Sequence, residues 1–475
     1  MYSDYPARLL PPSYFKVFIV YIKGRYIVSA CALLFFQQAQ ASGMDCTKAV
    51  SVVEKAICAQ KPLYELDTQM GAAYRKLMKA APAQTEVKKT QRQWLKERDR
   101  CGEDVSCLSQ RYQDRLQVVH AQWIDALAYK PDEIDKQVME DLQLRVREMS
   151  KENPEFALER ALNSLTLGYV GSSFAAEQDE DEQPLLPTTI PKDVTQDEWK
   201  ALQASDIKGA AESGQTSYTL MDLDGDGQRD LIVETYAGGT GMFHYTQTWR
   251  RVDGRFIRRT AEIAPQASND SVLFYTNDRG ANQSVYLIGT RGRMYFAYQN
   301  GSYGEDQVYL LNPLQINRQV PTISVHYDYQ LTVPHTQYIE DSDKAYELEP
   351  SLQKVLANAV TGLDANAGTT GQQKKPLCPI PQSAKDTEEY YGYGASYYAI
   401  EPVADFPVII GGDCYVARLI NWFGSYDEKN GLFAKLTMRK PEAESQERGY
   451  TVNGRRHITQ VSTSIGKAEG GAETF

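Results

Sequence analysis

The chain has 475 residues, 42% of them hydrophobic and 24% charged, with a formal net charge of −11. That length exceeds what one hydrophobic core organises and predicts two or three domains, and the composition excludes a wholly disordered chain. The acidic balance excludes nucleic acid as a main partner.

The charge is unevenly spread. Residues 42–120 carry 14 Lys+Arg against 10 Asp+Glu, whereas residues 121–475 carry 33 against 51. A mildly basic segment therefore precedes a strongly acidic one.

At the N-terminus, Lys23 and Arg25 precede the apolar run Tyr26–Phe36, and Ala39-Gln-Ala41 follows. This is the order of an export signal, and the run is too short to span a bilayer. Residues 1–41 thus read as a signal peptide, and the destination as periplasmic or secreted. Val28-Ser-Ala-Cys31 offers a rival lipoprotein box, weakened because Ala32–Phe36 follow the cysteine instead of preceding it. Loss of Cys31 leaves Cys46, Cys58, Cys101, Cys107, Cys378 and Cys414, an even set that predicts disulfides in an oxidising compartment.

Residues 42–128 carry a helical pattern. Ser51 and Glu54 have the spacing of a capping box, and Pro62 suits the first turn of the next helix. There Leu63, Leu66, Met70, Tyr74 and Leu77 recur three or four apart, and Pro82 ends the run. A return helix from about Thr85 turns Val87, Gln91, Trp94, Leu95 and Arg98 inward. A third, near Ser106–Leu127, repeats the spacing with Leu108, Tyr112, Leu116, Val119 and Trp123. Two helices joined by so short a link predict an antiparallel hairpin. Matching helix lengths bring Cys101 near the level of Cys58, which favours the nested bridges Cys58–Cys101 and Cys46–Cys107. The local pattern, Cys46–Cys58 with Cys101–Cys107, stays open.

The cysteines, with Leu66-Asp67, Ala73-Tyr74, Gln91, Trp94-Leu95, Arg98-Asp99, Gly102, Leu108 and Tyr112, make residues 44–118 resemble the N-terminal domain of LprI-type lysozyme inhibitors. The resemblance implies an exported envelope protein that binds and inhibits lysozyme or a related peptidoglycan hydrolase. An inhibitor must occlude a cleft whose chemistry uses two carboxyl groups. Lys88, Lys89, Arg92 and Lys96, on the outer side of the second helix, are the candidate partner-binding residues, with an ordinary solvated face as the plainer alternative. Animal-type lysozymes are basic, so the acidic remainder is expected to steer them.

Residues 129–170 continue helically as a connector through Ile134, Val138, Leu142, Val146, Leu158 and Leu162. Residues 171–195, with Glu177–Gln183 and Pro184, Pro187 and Pro191, read as an acidic, proline-bearing linker. From residue 196 to 360 the period becomes alternating, with strands predicted near 217–221, 231–236, 245–249, 256–260, 272–276, 284–288, 294–299, 307–311 and 322–331. Asp253-Gly254 is a strong hairpin signal. A flexible loop (361–376), a C-terminal β segment (377–460) and a disordered tail (461–475) complete the chain. The fold class expected is α+β and multidomain: a disulfide-stapled helical hairpin or bundle, then mostly antiparallel β structure of sandwich or propeller-like form.

The sharpest local motif is Asp222-Leu-Asp224-Gly-Asp226-Gly-Gln228-Arg-Asp230. Carboxylates at positions 1, 3, 5 and 9, with glycine at 6 and the Gln228 carbonyl at 7, form a ligand set for Ca²⁺. Position 12 is Val233, not the bidentate Glu of an EF-hand, and the loop resembles instead the FG-GAP-type calcium loops that join strands. A structural Ca²⁺ is the expected cofactor.

Catalytic constellations are scarce. His120, His244, His326, His335 and His457 show no metal-ligand spacing, and Gly238–Gly241 precedes no helix. Tyr390, Tyr391, Tyr393, Tyr397 and Tyr398 could present an aromatic face, with strand packing the plainer alternative. The pattern calls for no enzyme. Two further readings stand beside the inhibitor: a calcium-stabilised adhesion or interaction module, and a periplasmic immunity protein against a cell-wall-targeting toxin.

Overall fold

The short N-terminal helices are set by local chemistry. In the computed structural model a one-turn helix, Cys46–Lys48, leads to α1 (Val52–Ala59). Ser51 Oγ accepts the Glu54 amide at 3.1 Å, and the Glu54 carboxylate accepts the Ser51 amide at 2.8 Å, the capping box read from the sequence. Then come α2 (Lys61–Ala80), α3 (Gln84–Asp99) and α4 (Val105–Leu127). Pro82 falls between α2 and α3, where its missing amide disrupts no helical hydrogen bond.

The structure describes residues 43–168, 171–176, 186–207, 215–238, 243–259, 272–277, 282–302, 304–338, 343–361, 400–427, 431–440 and 450–469. The segment expected to be a signal peptide (1–41), the Glu177–Gln183 acidic run, Cys378 and the Tyr390–Tyr398 cluster lie outside these residues. Contacts divide the chain into two compact units. One holds the described residues up to Ala72 with Glu97–Gln113, and the other holds Ala73–Lys96 with the residues from Asp114 onward.

In the first unit, Val53, Ile57, Leu63, Met70, Leu108 and Tyr112 are buried. Its disulfides are Cys46–Cys58 and Cys101–Cys107, each with a Cα–Cα distance of 5.7 Å. This corrects the nested pairing favoured from hairpin geometry. Each pair is brought within bridging range by its own local reversal: the turn into α1 for one, the turn between α3 and α4 for the other. Helix length does not enter. Bridges spanning 12 and 6 residues close short loops. Chain-entropy reasoning gives each about 2–3 kcal/mol.

The second unit is layered. Helices α5 (Glu133–Glu152) and α6 (Ala157–Asn163) follow the α2–α4 segments, and α7 (Gln196–Gln203) and α8 (Pro350–Thr361) come later. One sheet is built from β1 (Ser172–Ala175), β2 (Gln215–Met221), β3 (Asp230–Gly238), β4 (Phe243–Val252) and β5 (Arg255–Arg258) in sequence order, with β6 (Val272–Asn277) also pairing β4. The larger sheet takes β7 (Asn282–Thr290), β8 (Arg293–Ser302), β9 (Glu305–Leu311) and β10 (Gln319–Thr332). To these it adds β13 (Ile400–Ile410), β14 (Asp413–Asp427), β15 (Gly431–Arg439) and β16 (Tyr450–Glu469), in the order β13-β14-β15-β16-β10-β9-β8-β7. A small pair, β11 (Thr336–Tyr338) and β12 (Ala345–Glu347), stands apart. All strand pairs in these sheets are antiparallel, as expected. Asp253 and Gly254, both at positive φ, turn the β4–β5 hairpin.

Strand alternation decides which core each side chain joins. Tyr295, Ala297, Val308 and Leu310 face Leu142, Leu158 and Leu162 of α5 and α6. Their neighbours Phe296, Tyr298, Tyr309 and Leu311 point the other way, onto Met221, Leu223 and Ile232 of the smaller sheet. The far side of that sheet, Tyr218, Leu220, Leu231, Val233 and Trp249, packs on Trp199 and Leu202 of α7. The order is therefore helix, sheet, sheet, helix, with two sheets stacked as a sandwich. Among the described residues no helix is long and apolar enough to cross a membrane.

Candidate functional site

Two places gather the residues singled out by the sequence. The first is the bridged helical module. Tyr112 is fully buried, and its hydroxyl donates to Asp67 Oδ1 at 2.7 Å and accepts from Arg98 Nη1 at 3.0 Å. Asp67 Oδ2 also accepts the Met44 amide, and Arg98 reaches Asp99 Oδ1 at 2.7 Å. Burial pushes the Tyr112 phenol far above its usual range, with the Asp67 charge adding to the shift against the pull of Arg98, so it stays a neutral link. The signature residues Asp67, Arg98 and Tyr112 therefore serve as an internal polar strut, with Asp99 at its exposed edge. Gln91 and Trp94 are buried as well, and the Gln91 carbonyl accepts from Arg115 Nε at 3.1 Å. The motif specifies the fold of the module and leaves its outward surface to other residues.

Lys88, Lys89, Arg92 and Lys96 are all exposed on α3, as the helical spacing predicts. Lys89 meets Glu86 at 3.5 Å in an open surface pair, which is worth at most about 1 kcal/mol.

The second place is the loop between β2 and β3. Oxygens of Asp222, Asp224 and Asp226 converge within 4.8 Å of one another. Gly225 and Gly227 take φ of 76° and 85°, which lets the chain coil tightly around the trio. The loop also holds itself: Asp222 accepts the Gly225 and Gly227 amides at 2.8 and 2.9 Å, and Asp226 accepts the Gln228 amide at 2.7 Å. Arg250 Nη2 lies 3.0 Å from Asp224 Oδ2. Amides and one guanidinium thus offset part of the repulsion that the sequence assigns wholly to a cation. Three carboxylates are hard oxygen donors and suit Ca²⁺ in kind.

Asp230 is placed differently. It is buried, and its two oxygens accept the Leu223 and Arg251 amides at 3.1 and 2.8 Å, fixing the start of β3. Burial pushes its carboxyl up to about 6 against those two hydrogen bonds. It stands outside the trio. Beside it, Arg229 grips Glu198 of α7 through two bonds of 2.7 and 2.6 Å and Ser172 of β1 at 2.6 Å. Burial opposes ionisation of Glu198, but Arg229 and Thr195 prevail and hold it down at about 2.

Sequence reasoning missed Arg250, Arg291 and Arg293, which the strand register gathers near this loop. Arg293 pairs with Asp132 Oδ2 at 2.6 Å and Asp135 Oδ2 at 3.0 Å, and Arg291 with Asp141 Oδ2 at 2.6 Å. Single arginines on a strand or in a hairpin carry no motif, so no local signal marks them. Among the described residues, Cys414 is also disulfide-bonded.

Residues 45–128 match the family model described as Lysozyme inhibitor LprI. The boundaries are those of the bridged helices. The proteins named Lipoprotein LprI from Mycobacterium bovis and from Mycobacterium tuberculosis are 30% identical to this chain over 76 residues. That stretch is 15% of this chain, which spans only 38% of the length of these relatives. No solved structure matches. The LprI-like part is thus a minority of the molecule, and the two stacked sheets stand outside the match.

Proposed function

We propose that this chain is an envelope or secreted protein that binds a lysozyme-like peptidoglycan hydrolase and inhibits it through the LprI-like module. The observation that carries this reading is the family match over residues 45–128, which coincides with a module built on two disulfides and an internal Asp67–Tyr112–Arg98 strut. Because the strut consumes the signature polar residues, partner contact falls to exposed side chains. Lys88, Lys89, Arg92 and Lys96 supply positive charge for a cleft that works with two carboxyl groups. The test is lysis of cell walls by lysozyme in the presence of residues 42–475. Saturable inhibition at micromolar protein supports the proposal. No inhibition of any tested hydrolase discards it in favour of a calcium-stabilised interaction module in which the helices are structural.

We further propose that Asp222, Asp224 and Asp226 hold a structural Ca²⁺, with Gln228 as an additional oxygen donor and Asp230 bracing the loop from beneath. The convergence of three carboxylates supports this reading. Calcium titration followed by calorimetry tests it. Absence of binding heat, with a melting temperature unchanged by chelator, rules the metal out.

A further inference from the structure

A cavity of about 540 Å³ opens beside the acidic loop, entirely within the stacked-sheet unit. Its charged lining is Arg250, Arg291, Arg293 and Asp224, three cations against one anion, in a part of the sequence that is otherwise strongly acidic. Leu167, Leu223, Met294 and Leu314 add apolar wall. The volume is that of a small-molecule site, where a few placed polar groups orient a mostly apolar or sugar-like body.

The backbone is shaped for this. Arg291 and Gly292 form the two-residue β7–β8 turn with φ of 50° and 76°, the positive pair such a hairpin requires, and this places Arg291 at the rim of the cavity. Gly289 lets Leu167 approach: a Cβ there would come within 2.5 Å of the Leu167 side chain.

The guanidiniums differ in what they already do. Arg291 is occupied by Asp141 and Gln137, and Arg293 by Asp132, Asp135 and Tyr129. Arg250 is half used. Its Nη2 meets Asp224 and its Nε is buried away from solvent, whereas the side chain as a whole is 44% exposed. The Nη1–Nη2 end of a guanidinium takes a carboxylate through two parallel bonds.

We propose that this cavity is a binding site for a small organic carboxylate, whose two oxygens dock on the Nη1–Nη2 end of the Arg250 guanidinium in place of Asp224. The site is independent of the lysozyme-binding reading, which concerns other residues. Calorimetric titration of residues 42–475 with D-glucuronate and with citrate, and with uncharged D-glucose as the control, tests it. At least one carboxylate binds with a dissociation constant below about 10 mM, more weakly as salt rises, and glucose does not. Arg250→Gln and Arg250→Lys, checked for unchanged melting, each weaken that binding about tenfold or more, because lysine keeps the charge and loses the fork. Heat from neither acid, glucose binding as well as the acids, or Arg250→Lys binding undiminished overturns the assignment.

Discussion

The two units reach stability by different routes. In the larger one, β8 and β9 each serve two cores, so that Tyr295 and Phe296 are buried on opposite faces of one sheet. Apolar area does the work there, at about 25 cal/mol per Å² removed from water. The smaller unit has few buried side chains and adds two short-loop disulfides and a buried tyrosine strut. A module too small for a generous core relies on covalent and polar ties. Changes of the same kind should therefore have unequal effects in the two regions.

The largest effect is expected in the layered unit. Leu142→Ala, at a fully buried position between α5 and the larger sheet, should cost about 2–5 kcal/mol in chemical denaturation. A loss near zero would mean that the helix layer does not share the core. Removing one bridge, as Cys101→Ser with Cys107→Ser, should cost about 2–3 kcal/mol. Amide exchange should then quicken in residues 43–72 and 97–113 and stay unchanged in β8 to β10. Uniform acceleration would erase the distinction between the units.

Tyr112→Phe removes one hydroxyl and disturbs two charged neighbours, so about 1–3 kcal/mol is expected, read from the same denaturation curves. Glu198 gives a pH signature. Its folded-state carboxyl sits near 2, below the ordinary value of 4.5, so its contribution is complete above about pH 4.5 and fades as pH falls toward 2. Glu198→Gln should therefore flatten the acid limb of the stability curve over that window. The smallest effect on folding belongs to Lys88→Glu, Lys89→Glu, Arg92→Glu and Lys96→Glu combined. Stability should change by only about 0.5 kcal/mol per exposed site or less, while inhibition weakens and loses its salt dependence. Unchanged inhibition would move the partner surface elsewhere.

Much of the architecture was legible locally. Alternation marked the strands from 217 to 331, Asp253-Gly254 marked a hairpin, and Ser51 with Glu54 marked a helix start. What depends on distant partners was not. β16 pairs β10 with Ile465 opposite Ile323, so strands on either side of the Gly- and Asn-rich segment form one sheet, and no periodicity announces such a pairing. Cysteine partners were misjudged because a turn of six residues, not a helix length, sets the Cys101–Cys107 distance. The acidic loop was visible as spacing. That Asp230 turns inward to brace β3, and that Arg250 leans on Asp224, are products of strand register and of the burial that follows from it.

Asp224 belongs to two neighbourhoods at once. It is one of three carboxylates in the acidic trio and the present counterion of Arg250. A cation that engages Asp224 competes with Arg250 for it and frees the guanidinium edge; a carboxylate that occupies that edge releases Asp224 to the trio. Loading either site then favours loading the other, and thermodynamic reciprocity makes the two enhancements equal. One shared side chain would make the loop and the cavity a cooperative pair, with calcium and an organic acid each reporting on the other's presence.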